Sequence, residues 1–309
     1  MNQAYIDTVR LLLAIAPAVF ASGRFAMKGG TALNLFVQDM PRLSVDIDVV
    51  YTDHLPDRDM ALQHIAQELS TIKAVLEGRG LQVRLPANAL GEEVRLLVAS
   101  DTAQVKVEVN FVFRGTVLPV QAKHLVDAAQ DVFTAAVSVP VLATEELYGS
   151  KLVAAMDRQH PRDLFDVMHM LSRFGWQVSF VDCFVAYLAG HNRPVHEVLF
   201  PKVKPLEHAF TNEFSGMTRD EVTLDILMQT QAQLIDELPR QLLSRHREFL
   251  QSLVRCEPDW TLMPFAHLSE LPAVKWKLMN LGKLKRTHAK RFAAQHDELV
   301  ARFDLLHFQ

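Results

Sequence analysis

The stretch Lys28–Val50, KGGTALNLFVQDMPRLSVDIDVV, decides the fold. A glycine pair, Gly29 and Gly30, opens an apolar segment, and Pro41 ends it. Ser44, Asp46 and Asp48 then alternate with Val45, Ile47 and Val49. Alternation of this kind predicts a strand over Ser44–Tyr51, with the two carboxylates on one face. Glycines let backbone N–H groups approach an anion closely, and the start of the following helix adds favourable partial charge. Thr31 is placed as the cap of that short helix, which runs to Phe36. Two like charges this close repel unless something neutralises them. A divalent metal shared with phosphate oxygens does so, which makes the stretch suited to a nucleoside triphosphate. Lys28 and Arg42 flank it as counter-charges.

Working outward, Tyr5–Phe20 carries apolar residues at helical spacing, and Arg58–Glu77 reads as a second helix stopped by Gly78 and Gly80. Leu81–Leu85, Val94–Ala99, Gln104–Phe113 and Val137–Leu142 read as strands. In the third of these, Val105, Val107 and Val109 share one face, and Lys106, Glu108 and Asn110 share the other. If its strand neighbours the Asp46–Asp48 strand, Glu108 completes a three-carboxylate cluster able to hold metal ions for in-line phosphoryl transfer.

After Ala143 nearly every segment has helical periodicity. Thr144 begins a capping pattern, and Pro161 suits a helix start. Val181–Leu188, Arg219–Glu237, Arg240–Val254 and Thr287–Leu306 continue the series, while His191–Thr218, interrupted by prolines, reads as a long loop. The expected class is α+β. A mixed sheet flanked by helices occupies residues 1–142, and an all-helical domain occupies 143–309.

The chain of 309 residues has a net charge of −4, so a polyanion site must be a local patch. Such a patch exists in the sequence. Lys275, Lys277, Lys283, Lys285, Arg286, Lys290 and Arg291 lie between Ala273 and Arg291 with no acid among them. A basic stripe is the footprint of phosphate-backbone contact, RNA here, and equally of a surface that meets an acidic protein. Trp276 is interleaved with these charges, as a partner in that contact or as core. The two cysteines, Cys183 and Cys256, have no metal-ligand spacing and suit a cytoplasmic protein. No apolar run is long enough to span a bilayer.

Four segments together resemble a known family: GGTAL, RLSVDID, KVEVN, and ELYGSKLVAAMDRQHPRDLFDV at Glu146–Val167. The chain is similar to the AbiEii/AbiGii toxins, nucleotidyltransferases of the DNA polymerase β-like superfamily found in toxin–antitoxin and abortive-infection systems. WKLMNLGKLKR at Trp276–Arg286 also looks family-like. The resemblance implies that Gly29, Gly30 and Thr31 hold the triphosphate, with Lys28, Arg42, Ser44, Lys106 and Arg162 around the nucleotide. It implies that Asp46 and Asp48 bind Mg2+ (Mn2+ as the alternative) and that Glu108 stands where the family commonly has aspartate. It makes Lys151 the lysine that reaches the nucleotide, and gives Asp163 or Asp166 the acidic role of the last motif, in a helical domain that completes the active site. The activity implied is transfer of a nucleoside monophosphate from a triphosphate to an RNA acceptor, the tRNA 3′ end, with an antitoxin encoded nearby. Nucleotidylation of a protein and a catalytically silent nucleotide-binding regulator are the alternatives.

Overall fold

The computed structural model describes residues 3–87 and 94–306. The chain forms two compact units, Met1–Leu147 with Met217–Asp220, and Tyr148–Gly216 with Glu221–Gln309.

The first unit is built on a mixed seven-stranded sheet of order β3-β4-β5-β2-β1-β7-β6. Its strands are β1 (Phe25–Lys28), β2 (Ile47–Tyr51), β3 (Gln82–Arg84), β4 (Arg95–Ala99), β5 (Gln104–Asn110), β6 (Gln121–His124) and β7 (Ser138–Val141). β2 and β5 run parallel at the centre, and β1 lies antiparallel to β2 on the other side. Helices α1 (Gln3–Val19), α2 (Gly29–Phe36), α3 (Arg58–Glu77) and α4 (Asp127–Phe133) complete the unit. The core is made by the valine face of β5, by Ile47, Val49 and Val50 of β2, and by the apolar stripe of α1. β6 and α4 carry no clear sequence period and were not legible in advance.

β2 starts at Ile47, three residues later than the alternation predicts. The backbone hydrogen bonds of the preceding residues go elsewhere. The N–H of Leu43 donates to the Met217 carbonyl, Arg42 bridges Thr218, and the Asp46 carbonyl accepts from the Thr31 hydroxyl at 2.5 Å. A segment committed to these partners cannot also pair in a ladder.

The second unit is helical, with α5 (Thr144–Arg158) entering it from Tyr148 onward. It contains α6 (Pro161–Phe174), α7 (Val178–Ala189), α8 (Val195–Leu199), α9 (Glu207–Glu213), α10 (Leu224–Arg240), α11 (Ser244–Val254), α12 (Pro272–Thr287) and α13 (Ala289–Leu305). Pro161 starts α6 as its lacking N–H favours. The stretch read as a loop, 191–218, instead holds two short helices, α8 and α9. The link between them is fixed by Gln159, whose amide donates to the Lys202 carbonyl and accepts from the Lys204 N–H. Residues Met217–Asp220 at its end belong to the first unit. Among the described residues no helix is long and apolar enough to cross a membrane.

Candidate active site

The candidate site is built on the two central strands and the start of α2. Strand register places Lys28 of β1 opposite Asp48 of β2, and Asp48 opposite Glu108 of β5. The three side chains form one row across three strands. Period-two geometry sets Asp46 and Lys106 on the same face, one step earlier. The Lys106 Nζ lies 2.8 Å from Glu108 Oε2 and 3.8 Å from Asp46 Oδ2.

The electrostatics follow from crowding. Burial pushes the Asp48 carboxyl above the usual carboxylate range. Lys28 and Lys106 oppose the shift, while Asp46 and Glu108 add to it. Its hydrogen bond to Glu108 holds the Lys106 ammonium protonated above the usual lysine value, against partial burial. The row is therefore an excess of negative charge, partly offset by two lysines.

Among the described residues no three acidic, histidine or cysteine side chains form a group able to enclose a metal ion. Of the three carboxylates expected to cluster, Glu108 and Asp46 are both approached by the Lys106 ammonium. The donor set still fits a hard divalent ion of the Mg2+ class. Such an ion takes one or two protein carboxylates and completes its shell with phosphate oxygens and water. Asp46 and Asp48 offer those carboxylates, with Glu108 level with Asp48 on the neighbouring strand.

The glycine turn abuts the pair. Gly29 has φ +77°, and a Cβ placed on it would sit 2.5 Å from Asp48 Oδ2. A Cβ on Gly30 would meet the Arg42 guanidinium at 2.5 Å and the Ser44 hydroxyl at 3.0 Å. Only glycine leaves this cradle open. The N-cap residue of α2 is Lys28, whose side chain makes no capping hydrogen bond, and the first turn of the helix is the glycine pair itself. Thr31 is not the cap. It sits inside the helix, where its hydroxyl holds Ser44 at 2.9 Å and the Asp46 carbonyl. Arg42 is buried, with its Nη1 on the Leu43 carbonyl.

The later motif forms a cluster inside the helical unit. Lys151 Nζ lies 2.9 Å from Asp163 Oδ1 and 3.0 Å from Asp166 Oδ2, all three side chains being buried. Arg158 adds a two-pronged contact to Asp163 at 2.5 and 3.0 Å. Burial alone raises the Asp163 carboxyl, but Lys151 and Arg158 outweigh it and hold the group far below the usual range. Both aspartates thus share one lysine, and neither is singled out. Removing one partner of such a buried set costs on the order of 3–5 kcal/mol, because a charge is left uncompensated. Arg162 points to Glu213 at 3.6 Å and is 42 % exposed.

The basic stripe is corrected at one position. Lys277 is 4 % exposed, and its ammonium donates to the Arg193 carbonyl. Burial lowers its pKa to about 8. Lys275, Lys283, Lys285, Arg286, Lys290 and Arg291 are exposed, and Trp276 is 51 % exposed, so it is not core.

Two concavities matter. One of about 310 Å³ is lined by Lys28, Asp48, Glu108, Asn110, Phe111 and Val112. A larger one of about 770 Å³ lies within the helical unit. Its charged lining is largely self-neutralised by Arg193–Asp157, Arg193–Glu197 and Arg302–Glu298 pairs, so the chemistry points to the smaller one.

The model of the nucleotidyl transferase AbiEii toxin family, type IV toxin–antitoxin system, matches residues 10–280. The chain belongs to the AbiEii family. It is accordingly a nucleotidyltransferase toxin. Among solved structures, MenT4, a nucleotidyltransferase toxin from Mycobacterium tuberculosis, superposes with a TM-score of 0.58. The identity is 17 %, and the match covers 91 % of this chain and 99 % of that one. At that identity the likeness speaks to the fold: an AbiEii-type α+β sheet unit followed by helices. No curated protein sequence matches.

Two features of the candidate site have no local sequence signal. Lys106 tied to two acids depends on register between strands. The groove beyond Glu108 rests on Phe111 and Val112, which the sequence pattern places in the strand but which follow its end at Asn110.

Proposed function

We propose that the first unit transfers a nucleoside monophosphate from a triphosphate to the 3′ end of an RNA, with tRNA as the acceptor. The reading is carried by one observation: the glycine turn at the start of α2 directly abuts Asp48, which lies level with Lys28 and Glu108 in the sheet. The N–H groups of the α2 start, with Arg42 and Ser44, bind the outer phosphates. A Mg2+ or Mn2+ ion held by Asp46 and Asp48 supplies charge neutralisation at the reacting phosphate. Lys28, level with Asp48, adds a fixed positive charge. Glu108 orients the acceptor hydroxyl and accepts its proton, with Lys106 holding the carboxylate in place. The hydroxyl oxygen bonds to the α-phosphorus, the α–β phosphoanhydride bond breaks, and pyrophosphate leaves.

The ion pairs of Lys151 with Asp163 and Asp166 hold α5 to α6, and the catalytic role that the family resemblance implies for these residues is kept as part of the proposal. The exposed cations of α12 and α13 bind the RNA backbone, in a salt-dependent manner. The family's type IV system implies an antitoxin as partner.

The test is incubation of the full chain with labelled nucleotides and total RNA. We expect Mg2+-dependent label in RNA with pyrophosphate release, reduced at least ~100-fold by Asp46→Ala or Asp48→Ala, the scale seen when transition-state electrostatics are removed. No transfer with any of the four nucleotides, or label in protein rather than RNA, contradicts the reading.

A further inference from the structure

We propose that the groove beyond Glu108 seats the terminal nucleoside of the acceptor RNA, with Phe111 and Val112 as its apolar wall. The inference rests on the transfer reading above and assigns residues that reading leaves unused.

Direction along the strands carries the argument. The phosphate cradle is formed with Arg42 and Ser44, which precede Asp46 in the chain. Asp48 and Glu108 lie level with each other. Asn110, Phe111 and Val112 follow Glu108 at the far end of β5. At a rise of about 3.3 Å per residue, Asn110 lies roughly 7 Å beyond Glu108. The cradle and the groove therefore sit on opposite sides of the carboxylate row. An in-line displacement requires the attacking oxygen to approach opposite the leaving group. If pyrophosphate departs toward Gly30 and Arg42, the acceptor arrives over Asn110–Val112.

The groove has the chemistry for a nucleoside. About 310 Å³ is at the small end of ligand sites and suits one nucleoside rather than a folded partner. Val112 is 54 % exposed although it follows a strand whose other valines are buried. It offers an exposed apolar side chain to the groove that Glu108, whose carboxylate can take a ribose hydroxyl, also lines.

The wall is also held in place. The Asn110 side-chain carbonyl accepts the Phe113 N–H at 3.0 Å, and Arg114 donates to the Phe111 carbonyl at 3.4 Å and to the Pro56 carbonyl at 3.1 Å. The Arg58 guanidinium lies 6.0 Å over the Phe111 ring. A wall fixed before the ligand arrives spends less ordering entropy on binding.

The experiment measures steady-state transfer by the full chain to an RNA oligonucleotide with an unpaired 3′ nucleoside, using Val112→Asp and Val112→Phe. Val112 is exposed, so both variants keep the fold, which a thermal melt verifies. Val112→Asp puts negative charge where the RNA end sits. We expect the KM for RNA to rise about tenfold or more, the scale of one lost base contact, with the KM for nucleotide within about twofold of wild type. Val112→Phe keeps the apolar wall and leaves the RNA KM equal to or below wild type. An unchanged RNA KM in Val112→Asp, or a shift in the nucleotide KM instead, overturns the seat while wild-type transfer stands. No transfer by the wild type overturns the underlying reading, and the seat falls with it.

Discussion

At the residue scale, the site depends on the missing side chain of Gly29. Its φ of +77° is strained for any L side chain, and an added Cβ would press on Asp48 Oδ2 at 2.5 Å. Gly29→Ala is therefore expected to lose about 1–3 kcal/mol of stability and at least ~10-fold in transfer rate. Gly23 is the matched control. Its φ is +72°, but a Cβ there meets nothing within 4 Å. Gly23→Ala should show the backbone penalty in denaturant unfolding without the loss of transfer. Equal losses of transfer in both variants would remove the Gly29–Asp48 contact from the account.

The aspartate pair and the glycine turn were legible in the sequence because strand and turn rules act over a few residues. Lys106 was legible only as a charge on the polar face of β5. Its grip on Glu108 and Asp46 needs the β2–β5 register, which no local pattern carries.

At the element scale, α12 shows how a charge count misleads. Seven cations in a short span read as a uniform basic face, yet helical geometry turns Lys277 inward, onto the Arg193 carbonyl. A buried ammonium has a pH signature. Its folded pKa of about 8 lies below the unfolded value of about 10.4, so between these the unfolded chain binds more protons. Stability from this group therefore rises with pH across that window. Relative to Lys277→Met, which does not titrate, the wild type should gain about 2 kcal/mol between pH 7 and pH 10 in urea unfolding. A constant difference between the two across that range would mean that Lys277 stays solvated.

The helical series after Ala143 was readable from its period. The pieces α8 and α9 were not, being too short for a period to show. Strand β2 was read as three residues too long for a related reason. Alternation records which way side chains point, whereas the ladder records where N–H and C=O groups find partners. Ser44 and Asp46 alternate yet bond to Thr31, and residues 41–43 just before them bond to the 217–219 segment.

At the scale of the whole molecule, a chain of net charge −4 carries its positive charge in local groups, and the proposed function asks two of them to meet polyanions. In the sheet unit, a helix start, Lys28 and Arg42 surround a carboxylate pair. In the helical unit, six cations along α12 and the start of α13 are exposed, and it is there that the proposed function places the RNA backbone. The α+β class and the order of the motifs followed from the sequence, and family membership agrees with both.

The central claim is that the Asp46–Asp48 row, with its glycine cradle, adds nucleotides to RNA ends. Sequencing RNA 3′ ends from cells expressing the wild type or Asp48→Asn tests it most directly. The account predicts nucleotides added to tRNA 3′ ends by the wild type and none by Asp48→Asn at equal protein level. Untouched 3′ ends in a growth-arrested wild-type culture, or equal addition by both proteins, would contradict it.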